Sequence, residues 1–184
     1  MTLLDEIVEH NQKFSHPGAF SPLSKSPRKQ LAIFTCMDTR LVDFLEPAMG
    51  LKRGDAKIIK NAGNTIIDPN QGGVIRSLVV AIYELGVEEV FVIGHEDCGM
   101  SSVDGPGLRE KMIARGVEPA VIDEMMPDIC QWVGAFSHPR ENVARVVQII
   151  RDNPLFPASI PIHGLIFSPE DGSLDVVTSG YDQS

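Results

Sequence analysis

The chain has 184 residues, 43% of them apolar and 22% charged, which suits one compact core and excludes wholesale disorder. Its formal net charge is -9, and its densest basic patch is only Lys25-Ser-Pro-Arg28-Lys29, so a general affinity for nucleic acid or an anionic membrane is not expected. No apolar run approaches the ~20 residues of a bilayer span, the first residues do not read as a secretion signal, and the three cysteines suggest no disulfide framework; a reducing cytoplasm is the expected location.

Residues 2–14 predict an amphipathic helix. Thr2 caps it with Asp5 completing a short capping box, and Leu3, Leu4, Ile7, Val8 and Phe14 share one side. Pro17, Pro22 and Pro27 then mark an irregular stretch. This opening helix is expected to pack away from the main body, on a second subunit.

An alternation follows. Residues 31–35 read as a strand, 41–48 as a short helix, 56–60 as a second strand, 73–85 as an apolar helix ended by Gly86, and 89–93 as a third strand. Such an order implies parallel pairing with right-handed crossovers. The strand runs are almost continuously apolar, as expected where both faces are covered. Residues 101–153 read as helical with breaks near Gly105-Pro-Gly107, Gly116 and Ser137-His-Pro139, and Ser137 predicts a helix start. Residues 160–167 and 174–178 flank a turn-rich segment and predict a hairpin. The expected architecture is α/β: a mostly parallel central sheet flanked by helices, with a C-terminal β-hairpin, forming a single domain over residues 1–184.

In open α/β sheets, sites form beyond the carboxyl ends of the strands. Cys36-Met-Asp-Thr-Arg40 follows the first strand, Asn61-Ala-Gly-Asn64 the second, and Gly94-His95-Glu-Asp-Cys98-Gly99 the third. Two thiols and one imidazole are the protein's share of a zinc site with one open position. The same three residues also fit two small buried thiols and a hydrogen-bonded core histidine. Asp38 and Arg40 add chemistry. An ionised Asp two residues from a ligand can accept a hydrogen bond from metal-activated water, and the planar fork of Arg40 can hold that carboxylate. Judged alone, this pair also fits a surface ion pair opening the next helix. Asn61-Ala-Gly-Asn64 reads equally as a site-ordering turn or an ordinary strand-to-helix turn. Cys130 reads as a buried thiol in an apolar helical patch, His163 as structural, and His10, His16 and His138 as residues of amphipathic or loop contexts.

These segments, with Gly72-Gly73 opening the apolar helix and Leu85-Gly86 ending it, resemble the β-class carbonic anhydrases in order and spacing. The resemblance is detailed over residues 31–100 and holds in outline beyond; the short chain is similar to the compact prokaryotic branch. It implies Cys36, His95 and Cys98 as ligands of one Zn2+ per subunit, with Asp38 and Arg40 as the catalytic dyad. The implied reaction is reversible hydration of CO2 to bicarbonate by zinc-bound hydroxide, in a homodimer or dimer of dimers. Thr39 and Glu96 depart from the commoner residues at their positions. Two alternatives remain open: hydrolysis of carbon disulfide or carbonyl sulfide on the same scaffold, and a zinc-binding module without turnover.

Overall fold

The computed structural model describes residues 1–184 except Pro17, Ala19, Gln71, Gln183 and Ser184; the expectation at Pro17 lies outside the described residues. The elements run in order α1 (Leu3–Phe14), β1 (Leu31–Cys36), α2 (Leu45–Ala48), β2 (Ala56–Asn61), α3 (Gly73–Tyr83), β3 (Glu89–His95), α4 (Gly105–Ala114), α5 (Pro119–Gly134), α6 (Pro139–Arg151), β4 (Ile162–Phe167) and β5 (Leu174–Thr178).

The five strands form one sheet in the order β2-β1-β3-β4-β5. β1 pairs in parallel with β2 and β3, β3 pairs in parallel with β4, and β5 closes the sheet antiparallel to β4. This is the expected α/β architecture with its C-terminal hairpin. Side chains alternate between two apolar layers along β1. Ala32 and Phe34 join the core beneath α3 and α6, whereas Leu31 and Ile33 join a second core with Leu41, Leu45, Phe136 and Phe167. A strand covered on both faces must be apolar throughout, and β1 is buried at all six positions.

Two glycines let α6 approach the sheet closely. A methyl group on Gly94 of β3 would lie 2.7 Å from Val143 Cγ2, and one on Gly164 of β4 would lie 2.8 Å from Val143 Cγ1. The helix therefore rests against backbone where any other residue would hold it away.

The ends of several elements differ from the sequence-based expectation. β1 and β3 each run on to the polar residue at their tip, because Cys36 still pairs with Asn61, and His95 with Phe167. The expected helix over 41–48 is a 3-10 turn at Thr39–Leu41 followed by the four-residue α2. Gly105-Pro-Gly107, expected as a break, opens α4: Asp104 Oδ1 accepts from the Gly107 N–H at 2.7 Å, and proline is tolerated in a first turn. α6 starts from His138 rather than Ser137, whose hydroxyl instead donates to Glu141.

α1 carries the predicted capping box, with the Asp5 N–H donating to Thr2 Oγ1 at 3.2 Å and the Thr2 N–H to Asp5 Oδ2 at 2.8 Å. None of its residues is buried, and Leu3 and Leu4 are 72% and 70% exposed. Among the described residues, no helix is long and apolar enough to cross a membrane.

Candidate metal centre

The parallel register brings three strand ends to one edge. Cys36 ends β1 beside Asn61 of β2, and the pairing of Thr35 with Ile93 carries β3 on to His95 at the same level. The chain then turns sharply. Asp97 adopts a left-handed backbone (φ 52°), which returns Cys98 toward the strand tips. Cys36, His95 and Cys98 are all buried, and their ligand atoms lie within 4.8 Å of one another.

The two sulfurs are 3.9 Å apart and not bonded. Two thiolates on a tetrahedral zinc, at about 2.3 Å each, stand roughly 3.8 Å apart, so the spacing suits that ion. The imidazole supplies the better test. His95 Nδ1 lies 2.9 Å from the Glu96 carbonyl, a contact that places the ring proton there. Nε2 is left as a bare acceptor, buried and without a hydrogen-bond partner. A buried polar atom with no partner is costly, and a metal ion is the partner that its lone pair and the two facing sulfurs fit. The donor set is that of a soft-ligand zinc site.

Charge around the cluster follows from these contacts. The Cys36 thiol is driven well below its ordinary range, chiefly by the hydrogen bond from Cys98 and further by His95 and the backbone N–H groups of Asp38 and Gly63, against burial. Cys98 is pushed up, first by sharing its proton with Cys36 and then by burial. Burial opposes charge on His95, but the Cys36 sulfur, the Glu96 carbonyl and Asp38 outweigh it and raise its pKa overall.

Asp38 stands beside the cluster, with Oδ2 3.8 Å from His95 Nε2. Arg40 grips it with one edge of the guanidinium: Nε donates to Oδ1 at 3.0 Å and Nη2 to Oδ2 at 2.8 Å. That bidentate bond holds the Asp38 carboxyl down at about 2. Arg40 also donates through Nη1 to Asp97 Oδ2 at 3.0 Å and through Nη2 to the Asp97 carbonyl at 2.7 Å. One side chain thus ties the Cys36 loop to the His95–Cys98 loop. A mostly apolar cleft of about 340 Å³ opens over the cluster, with Met37, Ala62, Gly63 and Met100 beside Cys36, Asp38 and Cys98 in its lining.

All five residues singled out from the sequence come together here. The Asn61-Ala-Gly-Asn64 segment is a site-ordering turn. The Asn61 amide closes it by accepting from the Thr65 N–H at 3.1 Å and donating to the Thr65 carbonyl at 2.8 Å, while the Gly63 N–H donates to Cys36 Sγ at 3.3 Å. His163 is a buried side chain of β4, as expected. Cys130 is a correction: it is exposed, not buried. α5 turns Ile122, Ile129 and Val133 inward, and Cys130 lies one residue, or about 100° of helical turn, off that stripe. Sequence reading missed Asp97, whose role depends on a loop conformation, and Asn142, which reaches the turn from α6 through Asn142 Nδ2 to Gly63 O at 2.9 Å.

Residues 31–174 match the carbonic anhydrase family. The chain is 46% identical over 187 residues to YvdA of Bacillus subtilis, covering 99% of this chain and 94% of that one. Among solved structures it superposes on the β-carbonic anhydrase isoform I of Trichomonas vaginalis with a TM-score of 0.95 and 42% identity, covering 98% of this chain and 100% of that one. It is 31% identical over 157 residues to a carbon disulfide hydrolase of Acidithiobacillus thiooxidans, covering 79% of this chain and 76% of that one. With its parallel sheet, its Cys-His-Cys cluster and this extent of similarity, the chain belongs to the carbonic anhydrase family, in its β class.

Proposed function

We propose that this enzyme hydrates CO2 reversibly to bicarbonate and a proton, with Cys36, His95 and Cys98 holding one zinc ion per subunit and Asp38 and Arg40 forming the catalytic dyad. The unpartnered, buried Nε2 of His95, facing two sulfurs and flanked by Asp38, is the observation that carries the reading. Zinc, when bound, supplies the Lewis acidity that makes water a nucleophile near neutral pH.

The chain's own residues do the rest. Asp38 Oδ2 accepts a hydrogen bond from the attacking water and aims its oxygen at the carbon of CO2. Because Arg40 keeps the carboxyl at about 2, Asp38 remains an acceptor throughout turnover and the released proton passes to solvent. Met37, Ala62 and Met100 give the cleft an apolar wall suited to an uncharged substrate. The Glu96 carbonyl fixes the imidazole ring, and the Gly63 N–H steadies Cys36. Stopped-flow CO2 hydration by zinc-loaded protein tests the proposal; a rate no higher than that of Cys36→Ala would reject it.

The similarity to a carbon disulfide hydrolase favours a second reading, in which the same site attacks carbon disulfide or carbonyl sulfide. Assays with the three gases side by side rank the substrates. A zinc module without turnover is the weaker reading, since a held carboxylate and an apolar cleft adjoin the cluster.

The proposal extends to assembly. The chain acts as one domain, and residues 1–28 form an arm that packs on a second copy in a dimer or dimer of dimers. The support is α1, a well-capped helix with an apolar side and no buried residue. The site suits a reducing cytoplasm, where Cys36 and Cys98 stay available as thiolates.

A further inference from the structure

A buried amide lies behind the metal centre and outside the residues that would touch metal or substrate. Asn142 sits in the first turn of α6 and is 1% exposed. All of its hydrogen-bonding capacity is used. Nδ2 donates to the Gly63 carbonyl at 2.9 Å and the Asn64 carbonyl at 3.3 Å. Oδ1 accepts from Arg145 Nη2 at 2.9 Å and Thr65 Oγ1 at 3.3 Å. Thr65 Oγ1 also lies 3.2 Å from the Gly63 carbonyl.

The turn gripped in this way is left-handed. Gly63 and Asn64 have φ of 68° and 42°, a region that glycine and asparagine enter more readily than other residues. Two successive carbonyls anchored by one side chain fix the peptides on the C-terminal side of Gly63, and through the turn they limit the Ala62–Gly63 peptide that precedes them. Its N–H points at Cys36 Sγ, 3.3 Å away. An N–H bond to a thiolate draws charge off the sulfur. Where two thiolates serve one cation, that bond tempers how much charge the cation receives.

We propose that Asn142 is a positioning residue for the metal centre: by anchoring the 63–65 turn it fixes the Gly63 N–H on Cys36 and so sets both the affinity for zinc and the electron donation of that sulfur. The inference rests on Cys36, His95 and Cys98 being the zinc ligands. Asn142→Asp is the sharpest variant, because it keeps the acceptor for Arg145 and Thr65 while removing both donors to the turn. Thr65→Val is the second, removing the hydroxyl while keeping β-branching.

Two measurements decide. Competition with a chelator gives the zinc affinity, and the cobalt(II)-substituted protein gives the sulfur-to-metal charge-transfer band. Asn142→Asp is expected to bind zinc about 10–100-fold more weakly and to move the band to longer wavelength, since a sulfur without its N–H bond gives up charge more readily. Thr65→Val shifts both in the same direction by less. A folded Asn142→Asp with wild-type affinity and a wild-type band overturns the inference. If that variant does not fold, Thr65→Val decides alone: a band at the wild-type position overturns the inference and a displaced one upholds it. Failure of the wild-type protein to take up either metal would overturn the ligand assignment itself, an outcome distinct from an unmoved band.

Discussion

Arg40 donates from Nη2 to the backbone carbonyl of Asp97, 2.7 Å away and 57 residues along the chain, while the same guanidinium holds both oxygens of Asp38. Only a planar fork serves a carboxylate and a second loop together. Arg40→Lys keeps the charge and loses this geometry. It is expected to lower kcat for CO2 hydration about 10²-fold, with KM and bound zinc little changed, as measured by stopped-flow assay and elemental analysis. An unchanged kcat would remove Arg40 from the dyad.

Cys36→Ser replaces the thiolate proposed as a zinc ligand with a hydroxyl that does not ionise near neutral pH. The expected result is loss of stoichiometric zinc after dialysis and hydration at the background rate, while the far-ultraviolet circular dichroism of the fold persists. Retained stoichiometric zinc would argue that Cys36 is not a ligand.

Gly63→Ala combines two penalties. The new methyl would meet Met100 Cγ at 2.8 Å and Phe136 Cδ2 at 2.9 Å, and the backbone is left-handed at φ 68°. Overpacking costs about 1–3 kcal/mol and the left-handed conformation about 1–2 kcal/mol more. Urea unfolding should show a loss on that scale; a loss below about 0.5 kcal/mol, the level of an ordinary surface change, would mean that the turn is not tightly packed.

His163 provides a pH signature away from the Cys36, His95 and Cys98 cluster. Its Nδ1 accepts from the Gly180 N–H at 3.1 Å, and Nε2 lies 2.9 Å from Glu89 Oε1. Burial holds its pKa below 6.5, with the Arg151 charge in the same direction and Glu89 opposing; Tyr181 also stacks edge-on against the ring. The folded state therefore binds this proton less readily than the unfolded chain. The contribution to stability is complete above pH 6.5 and declines as pH falls through the lower folded value. Unfolding of wild type and His163→Gln at pH 7.5 and 5.5 should show the wild type losing more stability on acidification; an equal loss would contradict the assignment.

α1 carries the prediction about assembly. Leu4→Glu with Ile7→Glu places two charges on its exposed apolar side. Light scattering on a sizing column should report a smaller species than wild type, with secondary structure retained because neither residue is buried. An unchanged mass would dissociate α1 from the subunit contact.

Much of this was legible in the sequence because it depends on patterns that physics makes local. Continuous apolarity marked β1 and β3 as covered strands, and the alternation with helices pointed to parallel pairing, so Cys36 and His95 were expected at one sheet edge; the return of Cys98 to them depends on the turn at Asp97. The Thr2–Asp5 box was equally plain. Asn142 gave no such signal, since an asparagine in the first turn of a helix is ordinary until the helix is seen to cross behind a turn nearly eighty residues earlier. Asp97 was silent for a related reason: aspartate is enriched at left-handed positions, but few of the aspartates in a chain occupy one. Cys130 misled because an apolar neighbourhood in sequence does not say which way a helical residue faces.

The narrow seam between α6 and the glycines at 94 and 164 has an evolutionary consequence. The helix that presses into it carries the asparagine bracing the turn behind Cys36, so strand glycines with no part in the chemistry are coupled to the active centre. Even a single added carbon at either glycine would push the helix outward and slacken that brace. Drift along this seam should therefore be confined to paired changes, in which a residue gained on the strand is matched by one trimmed at Val143.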